Sequence, residues 1–190
     1  MSDSNNPFLV GKICYLRALT EKDLEGDYFQ WMNNYEVTRF LESGRYPNTP
    51  EAMHRFLESV QTSNTRVLLA ICDNGTNKHI GNVSLREIHQ VHRRAEFGIM
   101  IGDTEFSGKG YATEATFLMV DYGFRRLNLH SIYLGVLVDH SAAVRVYEKV
   151  GFKVDGRERE AWWADGAYHD VLKMSILARE HFARLKEQQK

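Results

Sequence analysis

The chain has 190 residues, 43% hydrophobic and 26% charged, with 24 Lys and Arg against 25 Asp and Glu and a formal net charge of -1. That length suits one well-packed domain over residues 1–190, with a core at about 12–178, and is short for two. Acids and bases are interleaved near neutrality, which excludes the strong field that draws a protein to nucleic acid, and no apolar run approaches a membrane span.

The start, Met1 to Pro7, is polar and carries no apolar segment of the kind that directs export. A cytoplasmic protein with no membrane partner is the expectation. Lys12 to Leu19 reads as a strand, and Thr20-Glu21-Lys22-Asp23 as a helix N-cap with acids in its first turn. The helix should run from Glu21 to Asn33, with Leu24, Tyr28, Trp31 and Met32 at helical spacing on one inward face. Thr38 to Thr49 reads as a loop with Gly44 and Pro47, and Pro50 opens a second helix that reaches Gln61. Strands follow at Arg66 to Cys72 and Ile80 to Ile88, joined through Asp73-Asn74-Gly75-Thr76-Asn77, a strong hairpin signal. Cys14 and Cys72 both fall in strand-like segments, too far apart for a metal-site pattern, where cysteine behaves as a small buried hydrophobe.

Glu96 to Ile101 is the next strand, and it turns into a helix at Ser107-Gly108-Lys109-Gly110-Tyr111-Ala112-Thr113-Glu114-Ala115. Two glycines bare the backbone where the helix begins, and the first N–H groups of a helix lack partners and carry the positive end of its dipole. This is an anion site in outline. It is neither a Walker A sequence nor Gly-x-Gly-x-x-Gly, so a phosphate-bearing ligand other than a plain nucleoside triphosphate is favoured. The helix runs from Ala112 to Arg126. Ile132 to Val138 is nearly continuous apolar, as in a strand covered on both faces. Asp139 to Glu148 then forms a helix with Gly151 as C-cap. Phe152 to Arg157 pairs with Tyr168 to Leu177 as a final hairpin turning at Asp165-Gly166, and a charged helix follows from Ala178. Trp162 and Trp163 should pack this hairpin or a dimer contact.

These elements describe an α+β (mixed α/β) fold with a mostly antiparallel sheet of about seven strands and helices on both faces. The Ile132 strand should lie parallel to the Glu96 strand, and the pair should separate to form a crevice beside the glycine turn.

A second motif, His140-Ser141-Ala142-Ala143-Val144-Arg145-Val146-Tyr147-Glu148-Lys149-Val150-Gly151-Phe152, follows the glycine turn by one strand and one helix. Together the two motifs resemble the GNAT N-acetyltransferase superfamily, which carries Gln/Arg-x-x-Gly-x-Gly/Ala at a pyrophosphate turn and a helix ending Tyr-Glu-Lys-x-Gly-Phe. Val91 to Phe97 and Asp121-Tyr122-Gly123-Phe124 are similar to its RimJ/RimL-type branch, which includes bacterial spermidine acetyltransferases. The resemblance implies acetyl-CoA as co-substrate, held in a cleft between splayed parallel strands. It implies that Met100 and Ile101 pair with the pantetheine arm through main-chain groups, and that the turn Ser107, Gly108, Lys109, Gly110, Tyr111, Ala112 and Thr113 meets the phosphates. Two positions depart from the pattern. Glu105 stands where Gln or Arg is usual, and His140 where Asn commonly contacts the pantetheine.

Acetyl transfer needs a neutral amine, and at a pKa near 10.4 only about one part in a thousand is neutral at pH 7, a handicap of roughly 4–5 kcal/mol. Glu96 is the first candidate for the base that helps remove the proton, and Glu87 the second. Glu96 has a competing structural reading: Arg93 or Arg94 would pair with it. Tyr147 is the candidate acid for the departing thiolate, since a phenol stays protonated at neutral pH. Its competing reading is a packed helix aromatic. His79, His89 and His92 carry no metal-site spacing, so no metal is expected. The acceptor stays open among a polyamine, a nucleotide-linked amino sugar and a protein N-terminus. The loop Leu41 to Tyr46 offers one acid and one base rather than an acidic cluster, which does not favour spermidine, while Arg39, Arg45 and Arg55 would suit an anionic acceptor. The alternative is a non-catalytic acetyl-CoA-binding module of the same fold, and the resemblance also suggests a homodimer.

Overall fold

A computed structural model describes residues 6–188; Met1–Asn5 of the polar start, with Gln189 and Lys190, lie outside the described residues. Its strands are β1 (Leu9–Val10), β2 (Cys14–Ala18), β3 (Val67–Asp73), β4 (His79–His89), β5 (Arg94–Ile101), β6 (Ser131–Leu137), β7 (Lys153–Ala164) and β8 (Ala167–Leu177). They form one eight-stranded sheet in the order β1-β2-β3-β4-β5-β6-β8-β7. The pairs β1–β2, β2–β3, β6–β8 and β7–β8 are antiparallel and β5–β6 is parallel. The helices are α1 (Glu21–Leu24), α2 (Asp27–Met32), α3 (Tyr35–Thr38), α4 (Pro50–Gln61), α5 (Tyr111–Arg125), α6 (Ser141–Val150) and α7 (Ala178–Gln188).

The chain divides into two compact units. One comprises the residues up to Ser84 with Ile99–Leu118, the other Leu85–Gly98 with the residues from Met119 onward.

In the first unit, β2 pairs with β3 from Cys14↔Asp73 to Ala18↔Leu69. Leu24, Tyr28, Trp31 and Met32 bury against Tyr15 and Cys72 of these strands and against Leu19 just after β2, as their spacing predicts. The single expected helix from Glu21 is two helices, because the chain breaks at Glu25-Gly26 and Gly26 caps α2. Glycine in a helix interior costs roughly 1 kcal/mol, which favours a break at Gly26. The Thr49 hydroxyl accepts from the Ala52 N–H at 3.2 Å and Pro50 takes the first turn of α4, so that Met53, Leu57 and Val60 face inward. Arg17, 7% exposed, forms a bidentate ion pair with Asp23 (2.7 and 2.8 Å), whose carboxylate also accepts from the Thr20 N–H at 2.7 Å.

In the second unit every residue of β6 pairs with β8, from Ser131↔Leu177 to Leu137↔Val171. Its parallel pairing with β5 covers Arg94↔Ser131 to Glu96↔Tyr133. Ile132, Leu134 and Val136 are buried while Gly135 is exposed, so β6 alternates rather than being covered on both faces. Ile132, Met174, Ile176 and Phe97 build the core. The β7–β8 hairpin turns at Asp165-Gly166, both with positive φ (50° and 77°), as a two-residue hairpin loop requires. β7 continues seven residues beyond the expected end at Arg157, to Ala164. Trp163 meets Tyr168 across the hairpin, ring centroids 4.8 Å apart.

Candidate active site

In the first unit, β5 ends at Met100 and Ile101, with Met100 packed on the core. Two glycines let backbone come close there. A Cβ at Gly81 would lie 2.2 Å from the Met100 carbonyl oxygen, and one at Gly102 2.0 Å from the Trp31 ring. The Gly102 N–H donates to the Ile80 carbonyl at 2.9 Å. Asp103 then caps a short 3-10 turn, Thr104–Phe106, by accepting from the Glu105 N–H at 3.0 Å, and Lys78 pairs with Asp103 at 2.6 Å. Glu105, the departure from the phosphate motif, thus has its backbone N–H committed to this cap.

Gly108 and Gly110 both adopt positive φ (72° and 95°), which selects glycine although neither position is crowded. The α5 ladder begins with the Glu114 N–H donating to the Gly110 carbonyl at 3.0 Å. The N–H groups of Tyr111, Ala112 and Thr113 therefore precede the ladder and have no intrahelical acceptor, the condition for anion binding. The Lys109 ammonium lies 5.7 Å from the Phe106 ring centroid. Tyr111 donates its hydroxyl to Asp73 at 2.6 Å, and that bond pushes its phenol up to about 12.

Glu114 supplies a contact that its position does not announce. Its carboxylate accepts from the N–H groups of Lys12 (2.7 Å), Ile13 (2.8 Å) and Cys14 (2.8 Å). Burial opposes its ionisation, but these three donors hold the carboxyl below the usual range. In the sequence Glu114 reads only as an acid in a first helical turn.

In the second unit, His140 is the N-cap residue of α6, its carbonyl accepting from Ala143 and Val144 (3.0 and 3.2 Å). Tyr147 is 8% exposed and packs its ring on Phe97, edge-on at 6.0 Å, and on Phe152 at 5.8 Å. Burial pushes the phenol up to about 12, so it is protonated at neutral pH. Gly151 ends α6 in the left-handed region, φ 116°.

Glu96 is bound by Arg86 through two bonds, at 2.8 and 3.0 Å, rather than by Arg93 or Arg94. Arg94 stacks over the Tyr133 ring at 4.2 Å and Arg93 donates to the Asn128 carbonyl. Glu87 accepts from the Tyr133 hydroxyl at 3.0 Å. Successive strand residues point to opposite faces. Glu96 therefore lies on one face of β5 and Phe97, with Tyr147 against it, on the other.

His79 is half-buried beside the core. Its Nε2 meets the Gly81 carbonyl at 2.9 Å and therefore carries the proton, and Trp31 packs edge-on against the ring at 5.1 Å. His89 and His92 stack on each other at 4.2 Å in the β4–β5 turn.

Residues 14–153 match the family described as acetyltransferase (GNAT) domain. The spermidine N(1)-acetyltransferase of Escherichia coli (strain K12) is 35% identical over 171 residues, 90% of this chain and 89% of that protein. The protein of the same name from Vibrio cholerae serotype O1 is 34% identical over 89% of this chain and 95% of its own length. The crystal structure of spermidine N-acetyltransferase from Vibrio cholerae in complex with CoA and spermine superposes with a TM-score of 0.83 at 33% identity, covering 90% of this chain and 99% of that one. The mixed sheet, the glycine turn opening α5 and the tyrosine on α6 thus occur in a chain that belongs to the GNAT acetyltransferase family and is an acetyl-CoA-dependent N-acetyltransferase.

Proposed function

We propose that the chain moves acetyl to a primary amine by direct attack on acetyl-CoA, with Tyr147 as general acid and Glu96 as the carboxylate that receives the amine proton. The nitrogen bonds to the thioester carbonyl carbon as the carbon–sulfur bond breaks. Tyr147 protonates the leaving thiolate, and the ammonium proton passes to Glu96 directly or through water. The observation that carries this reading is Tyr147, buried on α6 with its phenol held protonated.

In this reading Gly108, Lys109, Gly110, Tyr111, Ala112 and Thr113 take the coenzyme phosphates, with Ser107 at the entry, and His140 stands beside the pantetheine. The Met100 and Ile101 main chain pairs with that arm as a strand pairs with a peptide. The spermidine enzymes among the relatives make a polyamine the first acceptor to test. A singly charged amine, such as a nucleotide-linked amino sugar or a peptide N-terminus, is the second. It is favoured by the ion pairs Glu36–Arg39 (3.9 Å) and Glu42–Arg45 (2.8 Å), which neutralise the acids of that segment locally. A single cytoplasmic domain over 1–190, self-associating as a homodimer, completes the reading, and sedimentation at micromolar concentration tests the last point.

Coenzyme A release with spermidine, a nucleotide-linked amino sugar and short peptides decides among acceptors. Turnover with one class, lost in Tyr147→Phe, supports the reading; acetyl-CoA binding without turnover on any amine supports a binding module instead.

A further inference from the structure

Three stretches of chain meet at the first turn of α5. Glu114 accepts the backbone N–H groups of residues 12, 13 and 14, and Asp73 accepts the Tyr111 hydroxyl at 2.6 Å. The first two stretches are themselves tied, since the Asn74 N–H donates to the Ile13 carbonyl at 3.0 Å and its side-chain amide to the Gly11 carbonyl at 3.1 Å. Gly11 leaves room for this arrangement: a Cβ there would lie 2.6 Å from the Glu114 carboxyl carbon.

A carboxylate one turn inside a phosphate-binding helix start is a liability unless its charge is engaged elsewhere, because it repels the phosphates and competes for the same N–H groups. Here three N–H donors from a different segment engage it. They leave the N–H groups of residues 111–113 to the ligand and fix the direction in which those groups point.

We propose that Glu114 is a positioning residue of the coenzyme turn, holding the backbone donors of Gly108 to Thr113 in phosphate-binding geometry by anchoring α5 to residues 12–14. The proposal rests on the reading that this turn takes the coenzyme phosphates. Glutamine cannot replace the carboxylate, since its amide nitrogen would face N–H donors.

The test compares acetyl-CoA with S-acetylpantetheine, which carries the same thioester but no phosphate, in the full chain and in Glu114→Gln. The expected result is a KM for acetyl-CoA raised by about tenfold, kcat within about twofold, and unchanged constants for S-acetylpantetheine. Gly11→Ala, which pushes on the same carboxylate from the other side, should give the same pattern and serves if Glu114→Gln does not fold. Equal losses with both thioesters, or no loss with acetyl-CoA, overturn the proposal. If the unmodified chain itself does not distinguish the two thioesters, the phosphate-turn reading fails and the proposal fails with it.

Discussion

Tyr147, the proposed general acid, is buried on α6. Packing on Phe97 and Phe152 removes the ring from water and keeps the proton on the phenol until about pH 12. Tyr147→Phe preserves that packing and removes the proton, so kcat should fall by about tenfold or more while acetyl-CoA affinity, read by equilibrium titration, stays within about twofold. A second residue-scale effect belongs to His79 and Asp23. Burial pushes the His79 imidazole below its ordinary value. Burial also works against the Asp23 carboxylate, yet Arg17 and the Thr20 N–H hold it below the usual range. Both folded values lie under the unfolded ones, so in each case the unfolded chain takes up the proton first as pH falls. The His79 contribution is complete above about pH 6.5 and fades as pH drops through the folded value; the Asp23 contribution is complete above about pH 3.9 and fades below it. The thermal midpoint should therefore decline between pH 7 and pH 5, and His79→Gln should flatten that segment of the curve. Removing one partner of the buried pair, as in Arg17→Ala, should cost about 3–5 kcal/mol in denaturant unfolding, because the carboxylate left behind has lost its cation.

At the level of elements, α6 depends on its end. Gly151 lies at φ 116° and its N–H donates to the Tyr147 and Glu148 carbonyls, while the Phe152 N–H returns to the Tyr147 carbonyl. A side chain there would be strained by roughly 1–2 kcal/mol. Its Cβ would also meet the Arg184 guanidinium at 3.0 Å. Gly151→Ala should lower the thermal midpoint measurably and, by loosening the turn that carries Phe152, reduce kcat as well. Elements also mark where local reading stops. The apolar period of Leu24, Tyr28, Trp31 and Met32 correctly identifies a buried face, but periodicity passes over Gly26, where the chain changes direction. In β7 the run Arg157-Glu158-Arg159-Glu160 carries no apolar alternation. A strand is maintained there by pairing with β8 on one side, and the Arg157–Asp170 ion pair and the bulge between Glu158 and Trp162 accommodate its charges. The Asp165-Gly166 turn, by contrast, is legible outright, since both residues tolerate the positive φ the hairpin demands.

For the molecule as a whole, a net charge of -1 leaves little long-range field to gather a cationic acceptor. With Glu36 and Glu42 paired to arginines, kcat/KM for a cationic amine should change by less than about threefold between low and physiological ionic strength. A steep decline with salt would instead indicate an acceptor site lined by unneutralised acids, and would favour the polyamine. Sequence alone determined the class of fold, the order of the strands from β2 onward and of the helices from α4 onward, the glycine turn and the tyrosine helix, because each of these rests on local rules: hydrophobic period, positive φ, helix caps and a motif of contiguous residues. Tertiary structure decided the rest. That Arg86 rather than a neighbour in sequence binds Glu96, that Asp73 receives Tyr111, and that Glu114 reaches residues about a hundred positions away all depend on strands and turns distant in the chain being brought within hydrogen-bond reach. No pattern of spacing encodes such a meeting, since the partners lie far apart in the chain.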